Sequence, residues 1–92
     1  MLNFNQLNDK ITGNGYRRKA TTRNVWNEDG TLTKMYDYEH RKKLDMFTVY
    51  TDENERVLYA EYTRVDFDRE TRKFNQEVYR IDNTASLAKF LR

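Results

Sequence analysis

Apolar and polar positions change their spacing along this chain, and the changes mark its elements. Leu2, Phe4, Leu7 and Ile11 open it, and the steps of three and four from Phe4 predict a short amphipathic helix, with an extended segment as the alternative. Gly13-Asn14-Gly15 ends it, because these residues accept positive φ. From Tyr16 the period is two. Tyr16, Arg18, Ala20, Thr22, Asn24 and Trp26 share one face of a strand, and Arg17, Lys19, Thr21, Arg23 and Val25 the other. Asn27-Glu28-Asp29-Gly30 is a hairpin turn, since Asp-Gly suits the twist of paired strands. A second strand runs from Thr31 to Glu39, with Leu32, Lys34, Tyr36 and Tyr38 on one face. Three more follow: Met46–Thr51, Val57–Phe67 with Val57, Tyr59, Val65 and Phe67 on one face, and Phe74–Ile81. Asp82-Asn83-Thr84 supplies capping oxygens for a final helix whose Leu87, Phe90 and Leu91 face one side.

Turns this short join antiparallel neighbours, because a parallel crossover needs a dozen residues or more. The expected fold is α+β: an antiparallel β-meander of about five strands with a short C-terminal helix packed on one face. A helix at each end is the variant. Residues 1–92 form one compact domain, since two cores would each be too small.

Composition limits the core. Val, Ile, Leu and Phe make up 19 of 92 residues, a level at which disorder becomes an alternative. The 7 Tyr, 3 Met and single Trp restore a folded reading, because Tyr buries a ring while its hydroxyl stays wet. The result is a thin core of modest stability, which dimerisation or a partner can supplement. Absent cysteines exclude a disulfide framework and fit a cytoplasmic location. No charged-then-apolar leader opens the chain and no apolar run matches a membrane span, so neither a secretory signal nor a membrane partner is expected.

The same inventory narrows the chemistry. A transition-metal site needs several soft or imidazole ligands, and His40 is the single histidine. Asp66 and Asp68 point the same way on the long strand and form a minor cation candidate. Gly13 and Gly15 make a G-x-G with no phosphate-loop continuation. No cofactor and no small-molecule substrate are expected. Nucleophilic catalysis lacks a Cys, and Ser86, the one Ser, lies inside the final helix. Acid–base catalysis by His40 between Glu39 and Arg41, as in small ribonucleases and toxins, is the surviving enzyme route. An exposed histidine is the plainer reading.

Charge is distributed unevenly although the net charge is +2. Residues 16–25 carry Arg17, Arg18, Lys19 and Arg23 without an acid; His40, Arg41, Lys42 and Lys43 form a second basic cluster. Acids gather at Glu28-Asp29 and at Asp52, Glu53 and Glu55, so the surface should be dipolar. Arg17, Lys19 and Arg23 alternate onto one strand face and suit phosphates or acidic surfaces. Removing all three should therefore weaken partner binding and leave the thermal midpoint nearly unchanged. Tyr36 and Tyr62 are candidate anchors, with Tyr50 and Tyr59 as further stacking surfaces. The plain alternative is a solvated face laced by salt bridges.

Strand Met46–Thr51, acidic turn Asp52–Glu55, strand Val57–Phe67, strand Phe74–Ile81 and capped helix Asn83–Leu91 together resemble the small anti-CRISPR proteins that phages encode. The resemblance covers roughly half the chain and rests on order, size and mixed charge. It implies a non-enzymatic inhibitor in the cytoplasm of an infected bacterial host. Such a protein blocks target DNA recognition by a multi-subunit CRISPR surveillance complex, a type I-F complex being one candidate. Its expected contact is a protein or guide-RNA surface. A free-standing RNA- or DNA-binding module is the alternative, with a ribonuclease using His40 ranked below it.

Overall fold

The computed structural model describes residues 2–91; Met1 and Arg92, the outermost positions of the expected domain, lie outside the described residues. The fold is α+β, with elements in the order α1 (Phe4–Gly13), β1 (Tyr16–Arg18), β2 (Arg23–Trp26), β3 (Leu32–His40), β4 (Met46–Thr51), β5 (Val57–Asp68), β6 (Lys73–Ile81) and α2 (Thr84–Leu87). All pairings are antiparallel. The spatial order is β1-β3-β4-β5-β6, with β2 beside β1 on the same edge of β3.

The first expected strand is thus two strands. Arg18 pairs with Tyr38 and Arg23 with Met35, so four residues on the edge answer two on β3. The surplus of two keeps the phase: Arg17 and Arg23 stay on one face and Arg18 and Asn24 on the other. Lys19 still donates its backbone N–H to the Asp37 carbonyl at 2.8 Å before the chain leaves the ladder.

Both helices cover one face. Asn3 caps α1 by accepting from the Gln6 N–H at 3.2 Å. Leu7 and Ile11 fall one turn apart and are fully buried, stabilising by about 1.5–3 kcal/mol each. Under them lie Tyr16, Tyr36, Tyr38, Phe47, Val49, Ala60 and Ile81, which share a sheet face by register. Leu87 and Leu91 close the core over β6. Three of the 7 tyrosines are therefore core residues, and Tyr38 bonds its hydroxyl to Asn8 of α1 at 2.8 Å. α2 is a single turn after its Asn83 cap, so the N-terminal helix supplies the larger part of the cover.

β5 departs from simple alternation. Tyr50 pairs with Tyr59 but Thr51 with Val57, which makes a bulge at Leu58. The bulge turns Val57 onto the core side, away from the face that carries Tyr59, Val65 and Phe67. β5 also outruns β4: its partners on β4 stop at Thr63, and the rest pairs with β6 alone. The end of this hairpin is a two-stranded arm, and the principal extents are 45 × 30 × 24 Å. Among the described residues no helix is long and apolar enough to cross a membrane.

Candidate functional site: a basic corner and an open sheet face

Antiparallel topology sorts the loops by end. The β3–β4 loop, the start of β1 and the β5–β6 arm lie at one end of the sheet; the β2–β3 and β4–β5 turns lie at the other. Tyr16 pairs with His40, so the first basic stretch begins beside the second. Arg17, Arg41, Lys42 and Lys43 meet at one corner, all exposed and outside the four ion pairs found among the described residues. Glu28, Asp29, Asp52, Glu53 and Glu55 occupy the opposite end. The basic end also carries Glu39, opposite Arg17, with Asp45 in the β3–β4 loop and Asp66, Asp68 and Glu70 on the arm, so the charge is sorted only in part.

The other basic residues of the first stretch, Arg18, Lys19 and Arg23, are engaged within the molecule. Arg18 lies on the helix side, its guanidinium 6.0 Å from the Phe4 ring centre and 5.8 Å from that of Tyr36. Lys19 pairs with Glu39 at 2.9 Å, which raises its pKa through that hydrogen bond and the carboxylate charge. Arg23 binds Asp37 with two hydrogen bonds. Asp37 and Thr48 are buried although they belong to the open face, and Thr48 donates to Asp37 at 2.9 Å. The expected row of Arg17, Lys19 and Arg23 thus contains one unpaired cation and two ion-paired ones.

The two candidate anchors are mainly structural. Tyr36 is buried against Phe4, with its hydroxyl on Glu55 at 3.0 Å, so its ring is not available to a partner. Tyr62 is half-buried between Phe47 and Phe90 and donates to Asp45 at 2.5 Å. Burial, then the Asp45 hydrogen bond, pushes its pKa up.

The open face carries the two further tyrosines expected as stacking surfaces, Tyr50 and Tyr59, and an apolar row that no motif announced. Tyr50 and Tyr59 stack with ring centres 4.4 Å apart, and Arg80 lies 4.1 Å over the Tyr59 ring while bonding Asp82. Tyr50 donates to Glu61, which pairs with Thr48 and lies on the diagonal from Tyr50 across β4 and β5. Burial first and the Glu61 carboxylate next raise its pKa. Along the arm, Phe67 and Phe74 face each other at 5.0 Å and are 48% and 63% exposed. Val78 and Val25 are exposed on this face too. The arm was foreshadowed by length, since an eleven-residue strand was expected beside a six-residue one.

The minor chemical candidates make contacts within the molecule. Asp66 pairs with Arg64, and Asp68 accepts from the turn N–H groups of Glu70 and Thr71. Among the described residues no group of three or more His, Asp or Glu could hold a metal ion. His40 packs edge-on against Tyr16 at 4.8 Å, and its Nδ1 accepts from the Lys42 N–H at 3.0 Å. The ring at the end of β3 is thereby tied to the backbone of the loop that follows. Compared with protein-family models, curated proteins and solved structures, the chain matches none.

Proposed function

We propose that the protein acts by binding, as a stoichiometric inhibitor that docks its basic corner on a nucleic-acid-containing complex of the host. The observation that carries this reading is the convergence of Arg17 with Arg41, Lys42 and Lys43 through the Tyr16–His40 register. These cations face solvent, where guide-RNA phosphates or an acidic protein surface can meet them. A CRISPR surveillance complex is the target that the resemblance to anti-CRISPR proteins implies, with loss of target DNA recognition as the outcome. The acidic end disfavours continuous wrapping of bare nucleic acid, and four clustered cations are few for a dedicated binder.

Affinity capture from bacterial lysate, with and without nuclease, tests the reading. The expected result is a defined complex that survives nuclease and no longer retains its target DNA once the protein is added. Capture that vanishes with nuclease, and affinity for bare strands that falls steeply with salt, would establish the free-standing nucleic-acid binder instead. A captured complex that still binds its DNA would overturn inhibition.

A further inference from the structure

The two edges of the sheet are unlike. The β1/β2 edge is broken by the four-residue excursion at 19–22, a device that blocks strand addition. β6 is unbroken: nine residues in continuous register with β5, without proline, and with no strand on its outer side among the described residues. Beyond Thr63 and Val78 it belongs to the two-stranded arm. Two strands alone are marginal in water, and three or more are needed for independent stability. The arm also exposes Phe67, Phe74 and Val78 on one face.

We propose that a second copy of this chain completes the arm, by antiparallel pairing of β6 with β6 about a two-fold axis through Gln76. An axis normal to the sheet keeps both open faces on one side, so each residue pairs with one of the same face. Centred on Gln76, exposed Phe74 stands opposite the partner's Val78, and Phe67 extends the apolar row behind it. On the other face Lys73 meets the partner's Tyr79, and Glu77 meets the partner's Asn75 with the partner's Lys73 on the diagonal. The ladder ends at Lys73 and Tyr79, before the turn leaves the sheet. Neighbouring centres are worse. Glu77 would face its own carboxylate, Asn75 would set Val78 against Arg72 in the turn, and Val78 would set Phe74 against Asp82. Sequence and register therefore select one self-complementary pairing, continuous across both sheets.

Sedimentation equilibrium on the full chain tests this. Twice the chain mass is expected at high concentration, and Val78→Glu should raise the dissociation constant about tenfold or more by placing a charge opposite Phe74. Circular dichroism checks that the variant is folded; Phe74→Gln, also at an exposed position, repeats the test if it is not. The native chain has no cysteine, so Gln76→Cys places a single thiol on the axis and should oxidise to a covalent dimer. Val78→Cys should not, because its two thiols would lie about 13 Å apart along the strands. A monomer at every concentration up to about 1 mM overturns the proposal. So does a dimer that persists in Val78→Glu, or one in which the Gln76→Cys thiols fail to join.

Discussion

Arg23 grips Asp37 across the broken edge of the sheet, Nε to Oδ2 at 2.7 Å and the terminal nitrogen to Oδ1 at 2.8 Å. Burial alone would raise the Asp37 pKa; the Arg23 and Thr48 hydrogen bonds and the Arg23 charge more than offset it and hold it below the usual carboxylate range. Arg23→Ala leaves a buried carboxylate with one side-chain partner, and should cost about 1–3 kcal/mol, read as a lower urea midpoint at unchanged slope. Lys19→Ala, at a half-exposed pair, should stay within about 0.5 kcal/mol. The three-cation substitution expected from sequence to be harmless is therefore destabilising, through Arg23. The pH dependence has a definite sign. A depressed pKa stabilises above the unfolded value of about 3.9 and loses that contribution as pH falls through the folded value. The gap between wild type and Arg23→Ala should accordingly narrow below about pH 4, and an equal gap at pH 7 and pH 3 would disprove the clamp.

Tyrosine ionisation should mark the alkaline limit of the fold. Burial is the first cause that raises the pKa of Tyr16, Tyr36, Tyr38, Tyr50 and Tyr62, and Tyr38 is pushed up to about 12. A raised folded-state pKa contributes stability that is complete below the unfolded value of about 10 and is lost as pH rises through the folded value. Tyrosinate absorbance of the native protein should therefore titrate above that of the urea-unfolded chain and rise together with loss of structure between about pH 10 and 12. Superimposable titrations would contradict the packing of these rings.

Gly15 is fixed for two separate reasons. Its φ is +92°, and a Cβ there would sit 2.8 Å from Nε2 of His40. Gly15→Ala should destabilise by about 1–3 kcal/mol, and His40→Ala in the same chain should recover the steric part while leaving the backbone strain. Strict additivity of the two substitutions would show that the ring is not the obstacle.

At the basic corner, binding and stability should separate. Arg41, Lys42 and Lys43 replaced together by Ala should shift stability by no more than about 0.5 kcal/mol, since none of them is buried. Partner capture should fall, and adding Arg17→Ala should deepen the loss. Capture unaffected by all four would move the docking site to another surface.

Much of the fold was legible because its signals are local. The steps from Phe4 to Ile11 gave α1, Asp29-Gly30 the first hairpin, and alternation the faces of β3. What escaped was set by pairing. Alternation at residues 16–26 could not show the break, because two surplus residues leave the pattern intact. Val57 was assigned to the wrong face because the bulge at Leu58 exists only relative to β4. Of the site residues, the Arg41–Lys43 cluster was plain in the sequence. The roles of Arg23 and Tyr36 were not, because Asp37 and Glu55 become their partners only once strands and turns come together.

The break between β1 and β2 also bears on which changes in length the chain can tolerate. The register of β2 on β3 is fixed by the Asn27–Gly30 turn, and residues 20–22 lie outside the ladder, so adding residues there leaves Arg23 opposite Met35 and within reach of Asp37. Adding or removing one residue in the Asn27–Gly30 turn instead shifts β2 by one position and carries Arg23 to the other face. Descendants of this sequence should therefore vary freely in length at 20–22 and hold the length of the Asn27–Gly30 turn constant wherever Arg23 and Asp37 are both kept.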